Sequence, residues 1–345
     1  MRLVNRLSIF VVMFLFVVMS ATAVQAAPAK ILKLGYSEAD DPCKSYFHVG
    51  AVVFKAWVEN NSNGQIEVQL FPNNSLGNNR EMMESVQMGS IQATICFASV
   101  NTIFLPKLNF IFTPYILPNI ESAWNLLDTP YIRELLSTMT TKYGLRPIAV
   151  AGDGGFRCFS ANTPIRSPKD LKGLKIRVPE SKALLTMVKS LGATPTTIAW
   201  NEVYTSLQTG IADGQEVDLP SFISIKLYET QKYVTLDKHT YSMNTLYIND
   251  KWFTALSPEL QDVIMEAGRM TETAMRGFTA MRLALSVSEM REKGLTVYTP
   301  NEEEMQQFRE MSQKPVIEFM KKEYGAEAFE EFMVAVKESI KSAGR

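Results

Sequence analysis

Ser257-Pro258 opens a helical pattern that runs unbroken to about Lys293, where Gly294 can cap it. At ~1.5 Å per residue such a helix is on the order of 55 Å long, more than one domain is wide. Leu260, Ile264, Ala267, Ala274, Phe278, Met281 and Leu285 trace its expected apolar face. A helix of this length either wraps two domains or bridges them. The 345-residue chain, 46% hydrophobic, points the same way, because a single core stops growing at about 250–300 residues.

Upstream, strand and helix patterns alternate. Ile31–Gly35, Ile66–Leu70 and Ala93–Phe97 read as strands, separated by helical spacing over about Ser45–Val58 and Arg80–Met88. A second set begins at Pro147–Ala151. Gly152–Gly155 reads as a flexible break, Phe156–Asn162 and Lys175–Val178 as strands, and Ser181–Leu191 as a helix, with Asn201 capping another to Thr209. Repeated strand-helix-strand units predict mostly parallel sheets covered by helices, an α/β class.

The amino terminus sets the compartment. Arg2 and Arg6 precede an apolar run over Ile9–Met19, and small residues follow at Val24 and Ala26, so a signal peptide of residues 1–26 is expected. The run is shorter than the ~20 residues of a membrane span. Without that segment 33 basic residues stand against 36 acidic ones, a balance with no electrostatic footprint for nucleic acid or an anionic membrane. Cys43, Cys96 and Cys158 lack metal-ligand spacing and are expected to be buried and unpaired, although one disulfide stays open.

Catalytic chemistry finds little support. Only His48 and His239 could serve a nucleophile triad, and neither lies in a recognisable motif. Gly152-Asp-Gly-Gly155 lacks the last glycine of a dinucleotide fingerprint and opens a strand instead of a helix. Asp40 and Asp41 have no calcium-ligand spacing. No cofactor or metal is implied, and a binder is favoured over an enzyme.

Arg177 is the exception. It sits inside the largely apolar strand Lys175–Val178, where a guanidinium cannot lose its proton and needs an anionic partner or a wet cleft. Two readings remain at this stage: an internal ion pair with Glu180 or Glu216, or a ligand carboxylate held by two parallel hydrogen bonds. Ser37, Asn78 and Ser99 lie at or after the ends of the first strands, where open parallel sheets place ligand sites.

The elements Leu70-Phe-Pro-Asn-Asn-Ser-Leu-Gly77, Phe156–Ile165, Asp170–Pro179, Leu191–Pro195, Glu202–Gly210 and Asp213-Gly-Gln-Glu216 occur in one order along the chain. In this the chain resembles the periplasmic solute-binding component of tripartite ATP-independent periplasmic (TRAP) transporters, over essentially its whole length after residue 26. The resemblance implies a two-domain periplasmic binding protein fold, with a long helix spanning both domains and hinge closure on a ligand. One α/β domain would take residues 27–154 and about 243–280, the other 155–242 and about 281–345, with the cleft between them. It implies further that Arg177 binds a ligand carboxylate, that Arg157 is a second pocket arginine, and that Trp200 walls the pocket. Expected partners are a small carboxylate ligand and the membrane subunits of a TRAP permease; a monomer in the periplasm is the default.

The chain departs from that family at one position. After Asp-Gly-Gln-Glu the family commonly has Asn-Pro, the Asn reaching the ligand, whereas here Val217-Asp218-Leu219-Pro220 follows. Valine cannot hydrogen-bond. Either Glu216 or Asp218 replaces the contact, or the ligand is less polar at that end. Glu180, directly after the arginine strand, would line the cleft or pair with Arg177. A receptor feeding a signalling protein and a secreted enzyme acting on an organic acid are the alternatives; the enzyme would need Glu180, Glu216 or Asp218 as its base.

Overall fold

The structure, a computed structural model, describes residues 30–344; the expected signal peptide lies outside them. Strands form where apolar residues run or alternate between turn residues. In chain order they are β1 (Lys30–Gly35), β2 (Ile66–Phe71), β3 (Ala93–Phe97), β4 (Leu145–Gly152), β5 (Arg157–Ala161), β6 (Lys175–Val178), β7 (Thr194–Thr197), β8 (Gly214–Val217), β9 (Tyr233–Thr240), β10 (Met243–Asn249) and β11 (Thr296–Tyr298).

They build two sheets, ordered β2-β1-β3-β10-β4 and β11-β9-β5-β8-β6-β7. β1 runs parallel to β2 and β3, and β6 parallel to β7 and β8. Parallel neighbours need a crossover, and helices supply it. Tyr46–Asn61 links β1 to β2, Asn79–Met88 links β2 to β3, and Lys182–Ser190 links β6 to β7. Their starts are capped as the sequence dictates. Ser45 accepts from the His48 amide at 3.1 Å, and Asn78 forms a reciprocal capping box with Glu81. β10 and β5 each run antiparallel to both neighbours, so both sheets are mixed.

The antiparallel pairs mark where the chain changes sheets. It leaves the first sheet after β4 and returns to it between β9 and β10, and the two passages touch: the Asp153 amide donates to the Ser242 carbonyl at 3.0 Å. The expected flexible break at Gly152–Gly155 is closely packed instead. A Cβ on Gly154 would overlap the Asp218 carboxylate, and one on Gly152 the Tyr241 hydroxyl. Polar contacts tie the two sides together nearby. Tyr46 donates to Asp153 at 2.6 Å and lies 3.2 Å from the Ser221 hydroxyl, while Ser224 donates to Glu38 at 3.0 Å.

The long helix spans Pro258–Glu292, 35 residues, with Ser257 at its N-cap. It packs on Tyr46–Asn61 and β4 of the first sheet, then reaches the helix Leu219–Ser224 and β11 of the second. Its expected apolar face holds only in the first half, at Leu260, Ile264 and Ala267. Beyond these the buried residues are Gly268, Thr271, Met275, Thr279, Arg282, Ser286 and Met290, while Met281 and Leu285 are half exposed. Small hydroxyl residues let the helix lie close to its neighbours there, and Arg282 reaches Glu289 at 2.6 Å.

Other local expectations also change. The final helix, Ala326–Ala343, packs against Ile120–Leu127, which lies beside β4, although 281–345 was expected with the second domain. Asn201 caps nothing: a short 3-10 turn, Trp200–Glu202, starts one residue earlier after the extended Ala199. All three cysteines are unpaired, but only Cys96 and Cys158 are buried; Cys43 is exposed in the loop before Ser45. Among the described residues no helix is long and apolar enough to cross a membrane.

Candidate functional site: a cleft around Arg177

β6 carries Arg177 in the interior of the second sheet, flanked by β7 and β8. Ile176 and Val178 go into the apolar core on one face, and strand alternation sends Arg177 to the other. There it is 2% exposed. Its Nε donates to the Ile198 carbonyl at 3.0 Å, and its guanidinium lies 5.7 Å from the Trp200 ring centroid. No carboxylate of the described residues forms a salt bridge with it, so neither expected internal pair, with Glu180 or with Glu216, exists. Burial pulls its pKa down to about 9, against the attraction of the more distant Glu216. At neutral pH it is a buried cation facing a cavity.

Arg157 is placed differently. Its Nη2 donates to Glu216 Oε1 at 3.0 Å and to the Glu216 carbonyl at 2.8 Å, its Nε to Oε2, and its Nη1 to Asp153 at 3.4 Å. Glu216 also meets His239 Nε2 at 3.3 Å, and His239 Nδ1 meets Asp237 at 2.7 Å. Charges thus alternate along Asp153, Arg157, Glu216, His239 and Asp237, all buried. Burial alone would raise the Glu216 pKa; Arg157 and His239 more than offset it and hold the group below its usual range. Burial alone would lower His239, but Asp237 and Glu216 push it up to about 9.

Arg177 faces a cavity of about 750 Å³, counting its open mouth. Of the residues singled out in the sequence, Arg177, Arg157, Trp200, Val217, Glu180, Asn78 and Ser99 line it. Glu216 sits behind Arg157, and Ser37 lies outside the wall, buried with its hydroxyl unpartnered. Asp218 is turned away too: its Oδ1 caps the helix Leu219–Ser224 through the Ser221 amide at 2.9 Å. Burial first, and then Asp153, raise its pKa well above the ordinary carboxylate range.

Wall residues that the sequence reading missed include Phe97, Phe112, Asn79, Arg80, Ile198 and Ser242. Phe97 and Asn79 could have been found, since they end β3 and open the helix after β2, the positions favoured for ligands in open sheets. Phe112 ends a 3-10 helix, Pro106–Phe112, and Ser242 lies in the short passage between β9 and β10; neither segment carries an apolar periodicity that points to a site. Phe97, at the end of β3 in the first sheet, meets Trp200, in the turn after β7 of the second, with ring centroids 5.9 Å apart, so the wall is built from both sides.

Two sheets joined by paired crossovers, with a buried cation in the cleft between them, define a two-domain α/β binding receptor. The chain belongs to the bacterial extracellular solute-binding protein family 7, whose pattern matches residues 39–323. It is similar to a TRAP periplasmic solute-binding protein of Polaromonas sp. JS666, solved with D-erythronate, at 30% identity and a TM-score of 0.82, covering 88% of this chain and 98% of that one. The sugar acid binding protein of Advenella mimigardefordensis, solved with galactonate, gives 28% identity and a TM-score of 0.85 over 90% and 99%. The C4-dicarboxylate-binding periplasmic protein DctP of Rhodobacter capsulatus is 28% identical over 86% of this chain and 88% of its own. Proteins of this family are receptors that bind solutes, and this chain is a TRAP-type solute-binding protein, not an enzyme.

Proposed function

We propose that the protein captures a small organic acid in the periplasm, holds its carboxylate on Arg177, and delivers it to the membrane subunits of a TRAP permease. The observation that carries this reading is the buried Arg177 guanidinium with no carboxylate of its own. An uncompensated buried charge costs several kcal/mol, and a carboxylate ligand removes that cost by supplying a charge-assisted, two-pronged hydrogen bond. The Arg157–Glu216–His239–Asp237 chain would fix the floor beneath it. Trp200 would cover the ligand's apolar face. The relatives' ligands, among them D-erythronate and galactonate, are organic acids and support the same class. Closure would turn on the paired passages at Asp153 and Ser242, excluding water and strengthening the contact.

Thermal unfolding of the purified protein against a panel of organic acids tests this. A ligand at about 1,000 times its Kd adds roughly 4 kcal/mol of stability, a clear upward shift in Tm. Stabilisation by carboxylates in the native protein but not in Arg177→Ala is expected. Equal stabilisation of both proteins would remove Arg177 from the site.

A further inference from the structure

The cleft's walls say more about the acid than that it is one. Building on the clamp at Arg177, we infer that the ligand is an aryl monocarboxylate carrying one hydrogen-bond donor away from its carboxylate.

The charge count fixes the single carboxylate. Three arginines line the cavity, but Arg157 is neutralised by Glu216 and Arg80 pairs with Glu84 at 2.9 Å. Only Arg177 is left without an anion. A second ligand carboxylate would meet no buried free cation, only Arg80, which is half exposed and already shared with Glu84, and would lose hydration for little return.

At the end of β8 the body of the ligand meets apolar groups, while Asn78, Asn79, Ser99 and Ser242 make up polar parts of the wall elsewhere. Val217 occupies the end of β8 that faces the cavity; of the two acids beside it, Glu216 is held by Arg157 and His239, and Asp218, whose Oδ1 caps its helix and whose Oδ2 has no partner, does not line the cavity. No side chain therefore replaces the missing polar contact at that position. Phe97, Phe112 and Trp200 add three rings to the wall, contributed from both sides of the cleft. A sugar acid brings a hydroxyl on nearly every carbon, and each one buried without a partner costs about 1–3 kcal/mol. A flat ring meets these walls without that cost, and rings pack favourably edge to face.

The donor comes from two orphaned acceptors. Glu180 Oε2 and Asn79 Oδ1 are both buried without a hydrogen-bond partner, and both residues line the cavity. Acceptors call for a hydroxyl or amine on the ligand. Glu180 follows Arg177 by three residues of nearly extended chain, a reach of roughly 10 Å at most. That span suits a ring with its carboxylate at one end and its donor at the other.

Calorimetric titration of protein unfolded, freed of bound solute and refolded tests the assignment, with 4-hydroxyphenylacetate, phenylacetate, galactonate and succinate as probes. Both aryl acids should bind at least about tenfold more tightly than galactonate and succinate, and the hydroxylated one most tightly. Glu180→Ala should narrow the gap between the two aryl acids. Galactonate or succinate binding as tightly as either aryl acid overturns the ligand class while leaving the carboxylate clamp standing. An unchanged gap in Glu180→Ala, or no gap in the native protein, overturns the donor. If refolded protein regains its thermal transition and binds none of the four, the inference and the clamp fall together.

Discussion

Arg157 and Glu216 form a closed pair, with both carboxylate oxygens and the backbone carbonyl of Glu216 accepting from one guanidinium. Arg177, two strands away in the same sheet, has no such partner. Two buried arginines of the same cavity therefore differ in their partners; under the proposed function one holds the fold and the other the ligand.

The two should separate in mutation. Arg157→Ala leaves Glu216 buried beside His239 with its main partner gone, and breaking a buried pair in this way costs about 3–5 kcal/mol. Arg177→Met removes an uncompensated buried charge and fills its space, so the ligand-free protein should be at least as stable as the native one. Urea unfolding of both variants without ligand checks this; a large destabilisation of Arg177→Met would mean that it has a structural partner.

His239 gives stability a pH dependence. Its pKa rises from the ordinary 6.5 to about 9, because Asp237 and Glu216 outweigh burial. A group with a raised folded pKa contributes fully below pH 6.5 and loses that contribution as pH climbs through 9, since the folded state then holds the extra proton. Unfolding free energy should fall over that window, by no more than a few kcal/mol. Denaturant titrations from pH 6 to 9.5 should show the fall in the native protein and a flatter profile in His239→Gln.

Gly154→Ala probes the crossover. Its Cβ would overlap the Asp218 carboxylate at the junction of the two sides, and neither the backbone nor that buried acid has room to move. Overpacking of this kind costs about 1–3 kcal/mol. A Tm lowered by several degrees is expected; an unchanged Tm would mean that the passage is slack.

Thiol reactivity should divide the cysteines. Cys43 is exposed, whereas Cys96 and Cys158 are buried, and burial raises the pKa of both well above that of a free thiol. A thiol reagent should modify one cysteine quickly in the native protein and all three in denaturant. Three fast reactions would contradict the packing of β3 and β5.

Much of this was legible because local chemistry and tertiary packing agree. Ser257 caps the long helix it was expected to open, and strands β1, β2, β3 and β6 lie where apolar runs or alternation between turn residues place them. The half-exposed Met281 and Leu285 were not legible, because small hydroxyl residues bury the opposite face by close approach, which hydropathy does not register. Arg157 and Arg177 look equivalent in sequence; only the register β5–β8, which brings Cys158 opposite Val217 and Phe159 opposite Glu216, shows which of them has a carboxylate. The position of Val217 in the wall was legible, but Phe112 joins it from the end of a 3-10 helix and Ser242 from the passage between β9 and β10, neither of which carries an alternating pattern.

Val217→Asn should restore an amide to a wall that has none at the end of β8. Affinity should move toward hydroxylated acids by about tenfold relative to apolar ones, with little change in Tm. An unchanged ligand profile would mean that Val217 does not touch the solute.

The central claim is that Arg177 holds the ligand's carboxylate. It is tested most directly by identifying the acid released when the purified protein is denatured, then titrating it into refolded native protein and refolded Arg177→Ala. The account predicts a carboxylate bound 10- to 100-fold or more weakly by the variant, the scale of one charge-assisted pair at roughly 1.5–3 kcal/mol, in a protein that unfolds no earlier than the native one. A released solute without a carboxylate, or affinities within about threefold of each other, would contradict it.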